Sequence, residues 1–145
     1  MRKQYAVGVA LFVAGTVFGV LGSQTLFAQI AQSEVPPSTK MIYRGDLQDI
    51  PGEEVLVFTS DWAPGNKLPW HMHPNGHEFV YVVEGEQTFE IDGVGQKIVK
   101  AGEVLHTQPN VAHFGRNATN AWSKTVVFRI KQKSQPISVE VKKPA

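Results

Sequence analysis

His71, His73, Glu78 and His113 offer three imidazoles and a carboxylate, and three of the four fall within the nine residues WHMHPNGHE from Trp70 to Glu78. In an extended strand, residues i and i+2 point to the same face, so His71 and His73 present two ring nitrogens to one point. That is half a metal site. A carboxylate arriving after a short turn, with a fourth ligand from a distant strand, completes a mixed nitrogen and oxygen set that suits Mn, Fe, Co, Ni, Cu or Zn.

The elements that must hold these side chains read as strands and turns. The stretch 54–60 (EVLVFTS) is short, apolar and rich in β-branched and aromatic residues, and so is 79–83 (FVYVV). Residues 87–91 alternate, 96–99 follow after the Asp92-Gly93 turn, and 124–130 form a late strand. Ile137, Val139 and Val141 alternate as well, which predicts an edge strand in the tail. No convincing capped helical period or internal repeat appears beyond the N-terminal segment. Strands at spacings near ten residues with glycine turns predict a single all-β domain, closed or sandwiched.

The chain of 145 residues opens with Arg2 and Lys3, followed by an uncharged apolar run from Ala6 to Leu21. This is the pattern of a secretory leader, with Ala28 at the last leader position. Leu26 is larger than the small residue preferred two places earlier, and the apolar stretch 6–27 is nearly long enough to span a bilayer. Residues 1–28 are therefore read as a signal peptide or an uncleaved membrane anchor, 29–40 as a flexible Pro36-Pro37 tether, 41–133 as the folded domain and 134–145 as an edge strand and tail. The expected location is the periplasm or the exterior, or the inner-membrane surface if the leader is retained.

There is no cysteine, so neither a disulfide nor a thiolate is available, and stability must come from a packed core. All thirteen acidic residues lie beyond position 28. Without Arg2 and Lys3 the net charge moves from +1 to −1. A near-neutral chain has no electrostatic reason to bind nucleic acid or anionic lipid.

Gly65, five residues, His71, Met72, His73, four residues, Glu78, six residues and Gly85 match the first motif of the cupin superfamily without a gap. The second motif is similar but altered. Gly102, His113 and Asn117 keep their spacing, while Gln108 stands in place of proline and Asn110 in place of glycine. Asn tolerates a left-handed backbone better than most residues, so this change can preserve the turn. The resemblance covers roughly residues 40–130. It implies a small jelly-roll β-barrel with one divalent transition metal (Fe, Mn, Ni, Cu or Zn) held by His71, His73, Glu78 and His113. Four protein ligands leave open positions on an octahedral ion. In this reading the first three ligands come from one hairpin, and Gly102 opens a second hairpin whose returning strand carries His113.

Other residues are weighed against plainer roles. His77 should face away from the site if Glu78 faces inward, and His106 is expected opposite His113 as a rim or solvent histidine. Val80 and Val82 share the face of Glu78. Phe79, Tyr81 and Val83 share the other, which predicts cover by the termini or by a two-fold homodimer. Phe58, Phe89, Phe114, Trp122 and Phe128 are candidates for core or cavity wall. Glu90, Glu103 and Arg116 read as surface residues, and the Asn117-Ala118-Thr119 glycosylation match as accidental.

Two functions follow. The resemblance implies a dioxygenase-like enzyme acting on a small catechol-, enediol- or flavonol-like molecule, with Glu78 both ligand and proton acceptor. The alternative is a non-catalytic metal- or small-ligand-binding module, because fold and metal do not fix a reaction.

Overall fold

A computed structural model of the chain describes residues 37–145. The expected leader or anchor and most of the tether lie outside the described residues. Ten strands follow in order: β1 (Ser38–Asp46), β2 (Glu53–Trp62), β3 (His71–Met72), β4 (His77–Glu84), β5 (Glu86–Ile91), β6 (Gly95–Lys100), β7 (Val104–Thr107), β8 (His113–Arg116), β9 (Ser123–Gln132) and β10 (Val139–Glu140). They form two five-stranded antiparallel sheets, ordered β1-β2-β9-β4-β7 and β10-β3-β8-β5-β6. Strand pairing begins at Ser38, inside the stretch read as tether. The tail supplies the predicted edge strand as β10.

Alternation decides what each strand buries. On β4, Glu78, Val80 and Val82 are buried, whereas Tyr81 and Val83 are exposed. Val80 and Val82 pack with Phe89, Ile91, Val99 and Val127 into a core that Phe58, Leu105 and Val111 flank. Each such apolar side chain contributes roughly 1.5–3 kcal/mol on full burial. The aromatic candidates divide. Phe58 and Phe89 face inward, but Trp122 is 64% exposed and Phe128 is 41% exposed on the outer face. Phe114 stacks on Trp70, with ring centroids 6.1 Å apart.

Neither expected hairpin exists as such. Strands β3 and β4 lie in different sheets, joined by an arch rather than paired, and β7 pairs with β4 while β8 pairs with β3 and β5. His106 therefore sits beside Phe79 of β4, not opposite His113. Reading turns along the sequence identifies where the chain reverses; it does not say whether the next strand stays in the same sheet.

Two turns are pinned by asparagines. Among the described residues, Asn75 and Asn110 are the non-glycine positions with positive φ, at 50° and 63°. Each side chain reaches the other turn: Asn110 Nδ2 donates to Asn75 Oδ1, and the Asn75 backbone N–H donates to Asn110 Oδ1, both at 3.1 Å. The Asn110 N–H also donates to the His73 carbonyl at 3.0 Å. The departure from glycine thus keeps the backbone conformation and adds a clamp that glycine cannot make. Gly85 is different. A Cβ there would lie 2.8 Å from both Ser123 Cβ and the Trp122 carbonyl oxygen, at a φ of 74°, so the position has no room for a side chain.

Candidate metal centre

His71 projects inward from β3, His73 follows just beyond it, and His113 begins β8, directly paired with His71. Glu78 comes from β4 in the opposite sheet. All four are buried, and their ligand atoms lie within 4.8 Å of one another. The structure brings together all four residues that the sequence singles out. His77 points to the outer face as alternation requires, where its Nδ1 lies 3.0 Å from His106 Nε2.

The imidazoles are oriented by main-chain carbonyls. Nδ1 of His71 faces the Pro69 carbonyl at 2.8 Å, that of His113 faces Val111 at 3.0 Å, and that of His73 faces Ile137 at 2.8 Å. A carbonyl only accepts, so each Nδ1 carries a proton and donates it; in a neutral ring the lone pair is then on Nε2. Burial first, and then the neighbouring His113, push the His71 imidazole down to about 4, so it is neutral at pH 7 as a ligand must be.

The acceptors then outnumber the donors. His73 Nε2 lies 3.1 Å from Glu78 Oε2 and His113 Nε2 lies 3.3 Å from Glu78 Oε1. Neither buried Nε2 has a hydrogen-bonding partner. Lone pairs facing carboxylate oxygens at these distances repel unless a proton or a cation lies between them. Several adjacent imidazolium ions with almost no exposure would be costly, whereas one divalent ion resolves every contact together. The donor set of three nitrogens and one oxygen fits a first-row transition ion.

Arg129 is a residue that the sequence does not single out. Its Nε and Nη2 donate to Glu78 Oε2 at 2.7 and 2.6 Å, and its guanidinium lies 5.3 Å from the centroid of the Phe58 ring. Burial alone would raise the Glu78 carboxyl. The Arg129 charge opposes burial and holds it well below the usual carboxylate range. A signal was present: alternation along 124–130 places Arg129 on the inward face with Thr125 and Val127, where an unpaired charge does not survive.

Beside the cluster lies a cavity of about 300 Å³. His71, Glu78, His113 and Arg129 line one part, and Phe58, Trp62, Val80, Phe89 and Val127 supply an apolar wall. Ser138 and Glu140 of the C-terminal segment complete the lining. Trp62, not singled out from sequence, is fixed by donation from its Nε1 to Thr125 Oγ1 at 3.1 Å. Asn117 is no glycosylation acceptor in this fold. It is 1% exposed, and its amide donates to the Trp62 and Ala121 carbonyls at 3.0 and 2.7 Å.

Residues 58–128 match the family described as "Cupin domain". Over 124 residues the chain is 30% identical to germin-like protein subfamily 2 member 2 of Arabidopsis thaliana, covering 79% of this chain and 57% of that protein. The chain spans about half the length of the curated relatives it matches. Among solved structures, a protein with a double-stranded β-helix domain from Klebsiella pneumoniae superposes with a TM-score of 0.61 at 18% identity, covering 74% of this chain and 86% of that one. An oxalate oxidase in complex with glycolate superposes with a TM-score of 0.56 at 23% identity, covering 72% and 54%. At these identities the structural likeness concerns the fold. The match lies on the strands that carry the four clustered residues, the barrel is shared, and the chain belongs to the cupin superfamily.

Proposed function

We propose that this chain is an exported mononuclear metal protein with dioxygenase-like activity on a small oxygen-rich molecule of the catechol, enediol or flavonol type. The observation that carries the metal reading is the excess of buried acceptors over donors around Glu78. When bound, a divalent transition ion supplies Lewis acidity, a template for two substrate oxygens and, if redox-active, a route for electrons to O₂.

The protein's own groups do the rest. His71, His73 and His113 present lone pairs fixed by their carbonyl partners. Arg129 holds Glu78 anionic and restricts how its carboxylate turns. The Phe58, Val80, Phe89 and Val127 wall excludes water and packs against a flat ring. Glu78 is held as the carboxylate, and its low proton affinity makes it a weak base. Glu140 adds a second carboxylate to the lining.

A binding module is the second reading, favoured by one observation: Arg129 engages Glu78 through two donors, which suits holding an ion better than moving a proton. Export rests on the leader pattern, with retention through residues 6–27 as its variant. A two-fold homodimer is supported by the exposed Tyr81, Val83, Val104 and Phe128 on the outer face of one sheet. The test is elemental analysis of protein taken from its native compartment, followed by O₂ uptake across a panel of aromatic diols and flavonols. Bound Fe, Mn, Ni or Cu with substrate-dependent uptake is expected; zinc without uptake on any of them favours the binding module.

A further inference from the structure

His71 and His113 are oriented by carbonyls two residues upstream, in the segments that lead into their strands, but the carbonyl that orients His73 belongs to Ile137, 64 residues later. After β9 ends in the first sheet, the chain crosses to the second and lies against β3. Val139 pairs with Met72 and Glu140 with His71, and the Val141 N–H donates to the Trp70 carbonyl at 2.9 Å. Lys143 closes the contact, with Nζ 2.9 Å from Glu90 Oε1 and 5.7 Å from the Trp70 ring centroid. The same strap carries Ser138 and Glu140 in the cavity lining.

This strand is two residues long and sits at a sheet edge, held by a few backbone bonds and an exposed ion pair. Such a contact opens more easily than the strands beneath it. Opening would take away the acceptor that keeps the proton on Nδ1 of His73 and would also remove part of the cavity wall. We propose that the C-terminal strap is a positioning element of the metal centre: its docking on β3 sets the ligating tautomer of His73, and its release lets the ion exchange. The proposal rests on the reading that the cluster binds a metal, but not on any reaction.

Linkage makes it testable in the intact chain. If docking strengthens ion binding, ion binding must strengthen docking by the same factor. Hydrogen exchange of the full-length protein, metal-free and loaded with zinc, should show residues 138–141 protected on the order of 10-fold more in the zinc form, the scale expected for partners of metal-bound histidines. Strand β6, at the far edge of the same sheet, is the control for general stabilisation and should change far less. Equal exchange of the strap in the two forms, or a change no larger than that of β6, overturns the proposal.

Two variants supply the second arm. Val141→Pro removes the donor to Trp70, and Lys143→Glu turns the ion pair with Glu90 into a repulsion. Each should release zinc to excess chelator roughly 10-fold faster than the parent. Nitrogen-resolved NMR of the metal-free protein should show His73 losing its Nδ1–H tautomer while His71 and His113 keep theirs. Release at the parent rate from both variants, with the His73 tautomer unchanged, also overturns it. A parent protein that takes up no zinc would defeat the metal reading, and the tautomer measurement would still decide whether the strap orients His73.

Discussion

Two buried glutamates flank β9, and their surroundings differ in one respect. Glu54 on β2 is satisfied: Arg44 donates to it through Nε and Nη2 at 2.7 and 3.0 Å, and Lys131 Nζ donates at 2.9 Å. Glu78 on β4 has Arg129 on one oxygen, but it also faces His73 and His113, whose facing nitrogens have no proton to spare. Both are acid and base pairs on the inward face of one sheet. The first has donors enough to be complete, so it is structural; the second has more acceptors than donors, so it calls for a cation. Burial and charge alone do not separate them, whereas a count of protons does.

The comparison can be broken most forcefully by supplying the cation. Zinc at about a thousand times its dissociation constant should stabilise the parent by roughly 4 kcal/mol in chemical denaturation, read against a chelated control. Glu78→Gln should abolish most of that gain, and an undiminished gain would remove Glu78 from the ligand set. Lys131→Met acts on the complete pair. It should cost up to about 3 kcal/mol in the metal-free protein, because Arg44 still covers part of the Glu54 charge, yet leave the increment from zinc intact.

Smaller effects sharpen the contrast. Asn110→Ala removes the clamp to Asn75 and places a side chain ill suited to a φ of 63°, so a loss of about 2 kcal/mol is expected by urea denaturation. Asn110→Gly relieves the backbone and should cost less than half of that. The smallest signal is the pH dependence from Glu54. The Arg44 hydrogen bond, opposed by burial and assisted by Lys131, lowers its folded pKa. Its contribution is therefore fully present above the ordinary carboxylate range near 4.5, and is lost as pH falls through the lowered folded value. Arg44→Ala should flatten that acid limb, and an unchanged slope would show that Glu54 does not contribute to it.

Much of this was legible in the sequence. The spacing of His71, His73, Glu78 and His113 and the strict alternation along 78–83 were enough to place these four side chains inside an all-β domain and His77 outside it. Pairing was not legible. Glycine and asparagine mark where β3 turns to β4 and β7 to β8, but whether an arch or a hairpin follows depends on which sheet buries the next apolar face. Arg129 escaped because its meaning comes from Glu78, 51 residues away. The Ile137 carbonyl escaped because a main-chain acceptor carries no residue signature.

The split of the cluster between two sheets bears on how the protein comes apart. His71 and His113 belong to one sheet and Glu78 with Arg129 to the other, so the complete set exists only once the two layers have closed on each other. An ion held there acts as a rivet across the layers. If closure comes after the rate-limiting step of folding, the ion should slow unfolding and leave the folding limb of a chevron plot where it was.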